Sequence, residues 1–310
     1  VHPFTNTAGE SVAAFGEEKL IRAIQGWLGA ASPQAPFGIG DDCAVLPPSR
    51  GRQLITVDPV IYGRHFDDSV PPAAVGAKLL KRNLSDLAAM GGRPSAAVLA
   101  LTLDPAVRLQ WLRQFYRGLA ACALAFRVPI VGGDIAQADG VLAASLTLLG
   151  DATGPRTITR TGARLGDRIY VTGRLGGSLR TGHHYRFQPR LREGAWLARR
   201  REVKAMMDVS DGLAKDLHAL TPAGAVPELF AASLPRRRGV TVREALSDGE
   251  DYELVFAVRA TAAAVTLERE WRRTFPRVPL NCIGRFTNPR SLAAGAVDLR
   301  AFRGYEHLHR

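Results

Sequence analysis

The sequence predicts a mixed α/β (α+β) fold in two parts. Apolar runs of strand length alternate with stretches of helical spacing along the whole chain, and acids repeatedly close those strands or sit in the glycine turns beside them. The third observation is size: 310 residues, 46% hydrophobic and 23% charged, suffice for two cores of ordinary dimensions.

GEEKLIRAIQGWL (16–28) spaces Leu20, Ile21, Ile24 and Leu28 as a helix would, and GlyAla with a Pro beyond it acts as a stop. FGIGDDCAVLPP follows as a glycine turn, two acids and a short apolar run closed by prolines. QLITVDPV (53–60) reads as a strand ending at an acid, and AKLLKRNLSDLAAMGG (77–92) as a helix with the stripe Leu80, Leu84, Leu87 and Ala88. SAAVLALTLDP (95–105) is a strand, VRLQWLRQFYRGLAACALAF (107–126) a long helix, and VPIVGGD (128–134) a buried strand running into a Gly-Gly turn. VLAASLTLLGDA (141–152) closes the first part, the charged DATGPRTITR marks the boundary, and TGARLGDRIYVTGRLGGS (161–178) opens the second.

No apolar run approaches the roughly 20 residues that span a bilayer, and VHPFTNTAGES lacks the features of a signal peptide. A cytoplasmic protein is expected. Cys43, Cys122 and Cys282 fit no zinc spacing and read as reduced thiols buried as small hydrophobes. The net charge of +12 is spread along the chain, with short runs only at Arg199–Arg201 and Arg236–Arg238. This argues against a dedicated nucleic-acid surface and for solubility or attraction of a polyanionic small substrate.

Six segments carry acids where an unpaired ion would be expensive to bury: Asp41 with Asp42, Asp58, Asp86, Asp134, Asp208 with Asp211, and Asp248 through Asp251. Singly, each reads as a turn or cap residue. Together they suggest more, because strand ends in a layered fold gather on one edge. Carboxylates meeting there repel one another unless a divalent cation joins them, and Mg²⁺ prefers oxygen ligands shared with phosphate. Within AMMDVSDGLAKDL (205–217), Ser210 is placed either to cap the next helix or to mark a terminus whose amides face an anion. GlyIleGly (38–40), GlyGly (132–133) and GlyArgLeuGlyGlySer (173–178) are turns, or places where backbone approaches phosphate. The chain has no GxxxxGK[ST] and no HRD or DFG, which excludes the P-loop and protein-kinase architectures.

GIGDDCAVL, TVD with GRHF, NLSDLAAMGGRP, VGGD, RTGARLGDRIYVTGRLGGS, AMMDVSDGLAKDL and DGEDYELVF resemble, in order and approximate spacing, the bacterial thiamine-monophosphate kinases. That family is part of the aminoimidazole ribonucleotide synthetase-like superfamily, and the resemblance runs from about Gly16 to the GlyTyrGluHis at 304–307. It implies an ATP- and metal-binding, dimerising domain at 1–152 and an α/β domain at 153–310 that completes the site, with strands of two subunits forming a shared barrel in a homodimer. It also implies Mg²⁺-dependent, in-line transfer of the ATP γ-phosphoryl group to thiamine monophosphate, without a covalent enzyme intermediate.

Position by position, the resemblance implies metal ligation by Asp42, Thr56, Val57, Asp58, Asp86, Asp134, Asp208 and Asp211, with Asp58, Asp86, Asp208 and Asp211 supporting transfer. It implies ATP contacts at Gly133, Asp134, Arg160 and Ser210, and thiamine monophosphate contacts at His65, Glu250 and Tyr305. Val57 stands where the family usually has a hydroxyl residue, and the 211–250 interval is short, so metal and substrate binding are expected to differ locally. His183 and His184 fall in a variable segment and read as loop. The alternatives are another ATP-dependent synthetase of the superfamily, against which the missing N-terminal and C-terminal cysteines count, and a catalytically silent polyanion-binding relative.

Overall fold

Four strands form the first sheet: β1 (Gln53–Ile61), β2 (Gly92–Leu103), β3 (Ile130–Gln137) and β4 (Leu142–Ala152), in the order β1-β4-β2-β3. β1 and β4 run antiparallel, whereas β2 and β3 are parallel, because the long helix α3 (Leu109–Phe126) carries the chain back between them. α1 (Glu17–Leu28) buries Leu20, Ile24 and Leu28 and places Glu17 and Glu18 in its first turn, where acids complement the helix dipole. α2 (Pro72–Ala89) begins earlier than the sequence pattern suggests, since Pro is tolerated in a first turn that has no amide partner to lose. α2 and α3 cross backbone to backbone: a Cβ on Gly76 would lie 2.0 Å from the Phe115 carbonyl oxygen, and one on Gly118 1.9 Å from that of Ala73.

This computed structural model describes residues 2–40, 43–49 and 51–305, which form two compact units, Val1–Leu87 with Arg93–Asp151, and Ala88–Gly92 with Ala152–Arg310.

The second unit is built on an antiparallel sheet of β5 (Arg168–Thr172), β6 (Val203–Asp208), β7 (Val226–Leu229), β8 (Leu254–Val258) and β9 (Leu280–Thr287), ordered β6-β8-β5-β9-β7. Strand alternation sorts its apolar residues to two faces. Ile169, Val171, Ala205, Met207, Val255 and Ala257 pack with α6 (Leu213–Leu220) and α7 (Val242–Ser247). Tyr170, Met206, Leu254, Phe256 and Val258 pack with α5 (Leu191–Leu197), α8 (Ala262–Thr274) and Ala88 and Ala89. Helices therefore cover both faces of this antiparallel sheet, within the mixed α/β class expected. A short helix, α4 (His183–Arg186), falls where the sequence predicted loop.

The cysteines depart from expectation. Only Cys122 is buried; Cys43 lies in the exposed glycine loop, and Cys282 alternates with buried Ile283 and so falls on the exposed side of β9.

Candidate active site

In the first unit, the alternation of β1 divides the expected ligands. Thr56 and Asp58, two residues apart, turn toward α2, where Arg82 and Asp86 stand one turn apart. Thr56 Oγ1 donates to Asp86 Oδ2 at 2.5 Å, while Arg82 pairs with Asp58 at 3.3 Å and donates to the Pro59 carbonyl at 2.6 Å. Val57 turns the other way and is 60% exposed. With Gly132, Gly133, Asp134, Ser145, Thr147 and the loop residue Gly40, it lines a cavity of about 660 Å³. A second cavity of about 530 Å³ has Ile21, Ile24, Leu28 and Tyr116 as an apolar wall and meets the same Gly132–Gly133–Asp134 turn. Gly133 cannot be replaced without moving β2, because a Cβ there would lie 2.2 Å from the Leu99 carbonyl oxygen.

His65 follows β1 in a tight turn beside buried Phe66. Its Nδ1 accepts from the Ile61 amide at 3.1 Å and its carbonyl accepts from Lys78 Nζ at 2.8 Å. A ring that accepts through Nδ1 carries its proton on Nε2.

In the second unit, β6 ends at the buried Asp208, and the turn beyond it gathers segments far apart in sequence. The Ser210 carbonyl accepts from the Glu250 amide at 2.7 Å, and the next carbonyl, of Asp211, accepts from the Tyr305 amide at 2.9 Å. Val209 exchanges bonds of 2.8 Å with Tyr252 and Glu253 on the same side. Thus Asp208, Asp211, Glu250 and Tyr305 are brought to one place by main-chain bonds. Lys215 fastens the last of these: its Nζ binds Asp211 Oδ2 at 2.7 Å and also donates to the Tyr305 carbonyl.

Several expectations are corrected here. Ser210 does not cap α6; Gly212 holds that position without a side-chain bond. The Ser210 and Asp211 amides are not offered to an anion but donate to Asp216 Oδ2 at 3.0 and 3.1 Å. Burial, with Asp211 nearby, pushes the Asp216 carboxyl up to about 7. The 173–178 loop is likewise filled from within: Asp251 accepts from the Gly176 amide at 3.0 Å and from Ser178 Oγ at 2.7 Å, and Asp248 accepts from the Gly177 amide at 2.7 Å. Asp251 also pairs with Arg237, and Glu253 with Arg190 at 2.6 Å, so these two acids hold the fold together. Arg160 is exposed in the segment whose Thr159 carbonyl accepts from the Met206 amide at 3.0 Å.

Asp41 and Asp42 lie outside the described residues. Among the described residues no three Asp, Glu, His or Cys side chains already stand close enough to hold a metal ion. The donor set nevertheless fits Mg²⁺ in kind, being carboxylate and hydroxyl oxygens without thiol or imidazole. Two of the acids, Asp58 and Asp211, already have a cationic side chain beside them, the position a metal ion would contest.

Arg82, Lys215, Tyr252 and Asp216 were not singled out as site residues from sequence. Lys215 is four residues from Asp211 and Arg82 four from Asp86, spacings that signal a shared helical face, but their other partners are remote in sequence.

Residues 40–152 match the family described as AIR synthase related protein, N-terminal domain. The chain is 37% identical over 273 residues to a thiamine-monophosphate kinase of Rhodopirellula baltica, covering 82% of this chain and 84% of that protein. It is similar to the crystal structure of thiamine-monophosphate kinase from Stenotrophomonas maltophilia, with 31% identity, a TM-score of 0.73 and coverage of 86% of this chain and 93% of that one. A structure described as AaThiL complexed with AMPPCP and TMP matches at 27% identity and a TM-score of 0.69, over 96% of this chain and 98% of that one.

Proposed function

The chain belongs to the thiamine-monophosphate kinase family, and on that premise we propose that it transfers the γ-phosphoryl group of ATP to thiamine monophosphate, yielding thiamine diphosphate and ADP. The observation that carries the reading into this chain is the meeting of Glu250 and Tyr305 on the successive carbonyls of Ser210 and Asp211. Two residues, one bearing a carboxylate and one an aromatic ring, fastened to the same turn as further acids suit a substrate with a cationic ring at one end and a phosphate at the other.

The acceptor is a phosphate oxygen already anionic near neutral pH, so the reaction needs alignment and charge neutralisation more than a strong base. Glu250 complements the thiazolium charge, and Tyr305 offers a ring face worth roughly 0.5–2 kcal/mol. His65 supplies a further substrate contact through its turn after β1. For ATP, the apolar wall of Ile21, Ile24 and Leu28 suits a base, while Gly133 and Asp134 border both cavities on the polar side. Arg160, exposed and permanently charged, suits phosphate; Ser210, whose amide is bound to Asp216, is the other proposed nucleotide contact, through its hydroxyl.

Thr56, Asp58, Asp86, Asp134, Asp208 and Asp211, with Asp42, would hold Mg²⁺, which when bound neutralises and aligns the two phosphorylated ligands. Val57 brings no side-chain oxygen to that set, leaving its place to backbone or water. The residues' own part is to keep the acids apart until then: Arg82 screens Asp58 and Lys215 screens Asp211.

The domain roles follow: residues 1–152 bind ATP and metal and dimerise, and 153–310 complete the nucleotide and substrate site. Ile55 and Val57, 72% and 60% exposed on the open face of the first sheet, support a homodimer in which two copies close that face into a shared barrel. No described helix is long and apolar enough to cross a membrane, and the reading is of a cytoplasmic enzyme.

The test is to incubate the protein with ATP, Mg²⁺ and thiamine monophosphate and to separate the products chromatographically. Thiamine diphosphate and ADP in equal amounts, lost on adding EDTA, are expected. ADP release without thiamine diphosphate, or undiminished turnover in EDTA, overturns the proposal.

A further inference from the structure

The helix α4 and the residue after it press on the segment that carries Glu250. His183 Nε2 lies 3.0 Å from the Asp251 carbonyl oxygen, His184 Nδ1 lies 3.6 Å from Glu250 Oε2, and the Phe187 ring stacks on that of Tyr252 at 4.0 Å between centroids. Tyr252 in turn donates its hydroxyl to Glu250 Oε1 at 3.1 Å. Both oxygens of one carboxylate thus have a neighbour from an aromatic or imidazole ring.

The backbone beneath is unusual. Glu250 and Tyr252 both adopt left-handed φ values of +51°, a conformation that costs a residue with a Cβ about 1 kcal/mol or more. Each is held there by its amide bond to the 209–210 turn, at 2.8 Å for Tyr252 and 2.7 Å for Glu250. Such strain persists where surrounding structure over-determines it, and it collects at ligand sites. Here it aims Glu250 outward from between two buried neighbours, Gly249 and Asp251. The Glu250 side chain keeps 20% exposure against 8% for His184, so a ligand can reach the carboxylate while the imidazole stays behind it.

We infer that His184, with Tyr252, is the positioning residue that fixes the Glu250 carboxylate for the cationic ring of the substrate. His184 acts on the ligand through Glu250 and is a positioning residue, not a catalytic one. The inference rests on the reading of Glu250 as a substrate contact and deepens it, since it assigns recognition of the thiazolium to a three-residue unit assembled from two segments.

The experiment measures steady-state KM for thiamine monophosphate and for ATP in four variants of the full chain. Glu250→Gln tests the underlying reading and is expected to raise KM for thiamine monophosphate. His184→Ala is expected to raise the same KM on the order of tenfold, as loss of a contact to a charged group does, and to spare KM for ATP. His184→Asn, whose amide nitrogen takes the place of Nδ1, is expected to restore most of the loss, whereas His184→Gln, whose donor takes the place of Nε2, is not. Should His184→Ala fail to fold, the Asn and Gln pair carries the test alone.

No effect of Glu250→Gln overturns the reading of that carboxylate and the inference with it. An effect of Glu250→Gln with none from His184→Ala overturns the inference alone. Equal effects of Asn and Gln, or a parallel rise in KM for ATP, assign His184 to the fold only and overturn it as well.

Discussion

Gly304→Ala isolates the contribution of the C-terminal segment. A Cβ on Gly304 would lie 2.4 Å from the Asp211 carbonyl oxygen and 2.6 Å from Lys215 Cβ, well inside the ~3.3–3.6 Å of an ordinary close C···O approach. Gly304 is not among the positive-φ glycines, so the added methyl acts by contact and not by backbone strain. Asp211 cannot give way, because its amide is bound to Asp216 at 3.1 Å and Lys215 is fixed in α6. The segment must retreat by about 1 Å, breaking the 2.9 Å bond from the Tyr305 amide. That bond is worth about 1 kcal/mol, and because the methyl also meets Lys215, it loosens the Lys215 bond to the Tyr305 carbonyl and shifts the ring from the substrate.

A ring face worth ~0.5–2 kcal/mol translates, at about 1.4 kcal/mol per tenfold, into a KM for thiamine monophosphate raised roughly twofold to thirtyfold. The assay is steady-state kinetics at saturating ATP, with a thermal melt as the control for folding. A folded variant with unchanged KM, or one in which KM for ATP rises equally, refutes the reasoning.

Asp86→Asn and Asp208→Asn should each nearly abolish thiamine diphosphate formation without changing the far-ultraviolet circular dichroism, and near-normal turnover in either removes that acid from the machinery. Val57→Thr restores a hydroxyl on the cavity side of β1 and should lower the Mg²⁺ concentration that gives half-maximal activity; an unchanged Mg²⁺ titration means the side chain at this position does not matter. Asp251 should show in stability against pH. Burial outweighs Arg237 and pushes its carboxyl from the ordinary 3.8 up to about 6. A folded-state value above the unfolded one contributes stability that is full below 3.8 and lost as pH rises through about 6. Asp251→Asn leaves Arg237 without its carboxylate and destabilises, but its deficit against wild type should shrink between pH 4 and 7 by on the order of 3 kcal/mol. Urea unfolding at both pH values checks this, and a deficit that grows with pH contradicts it.

Helices and strands with a clean apolar period were legible in the sequence. The stripe of Leu80, Leu84 and Leu87 is buried, and Asp208 does close a strand whose consecutive residues Met206 and Met207 face the two cores. The acids were legible as a class but not one by one. Asp248 and Asp251 look like Glu250 in sequence, yet both go to amides of the 173–178 loop about seventy residues away, a pairing that only the sheet register creates. The partners of Asp58 and Tyr305 were hidden for the same reason. Lys215 announces a local pair with Asp211 four residues away, while its second contact, to the Tyr305 carbonyl, and the contacts of Arg82 to Asp58 and Pro59 depend on what the tertiary fold brings against those helices. His184 had no periodic signal at all, because α4 is a single turn whose neighbours come from the strained segment opposite it.

The most direct measurement is a crystal structure of the protein with thiamine monophosphate, Mg²⁺ and a non-hydrolysable ATP analogue. The thiazolium should lie against Glu250 and Tyr305, with Asp86 and Asp208 on metal and Arg82 displaced from Asp58. Ligand bound away from the 208–211 turn, or Asp58 still paired with Arg82 and no metal among these acids, would contradict the account.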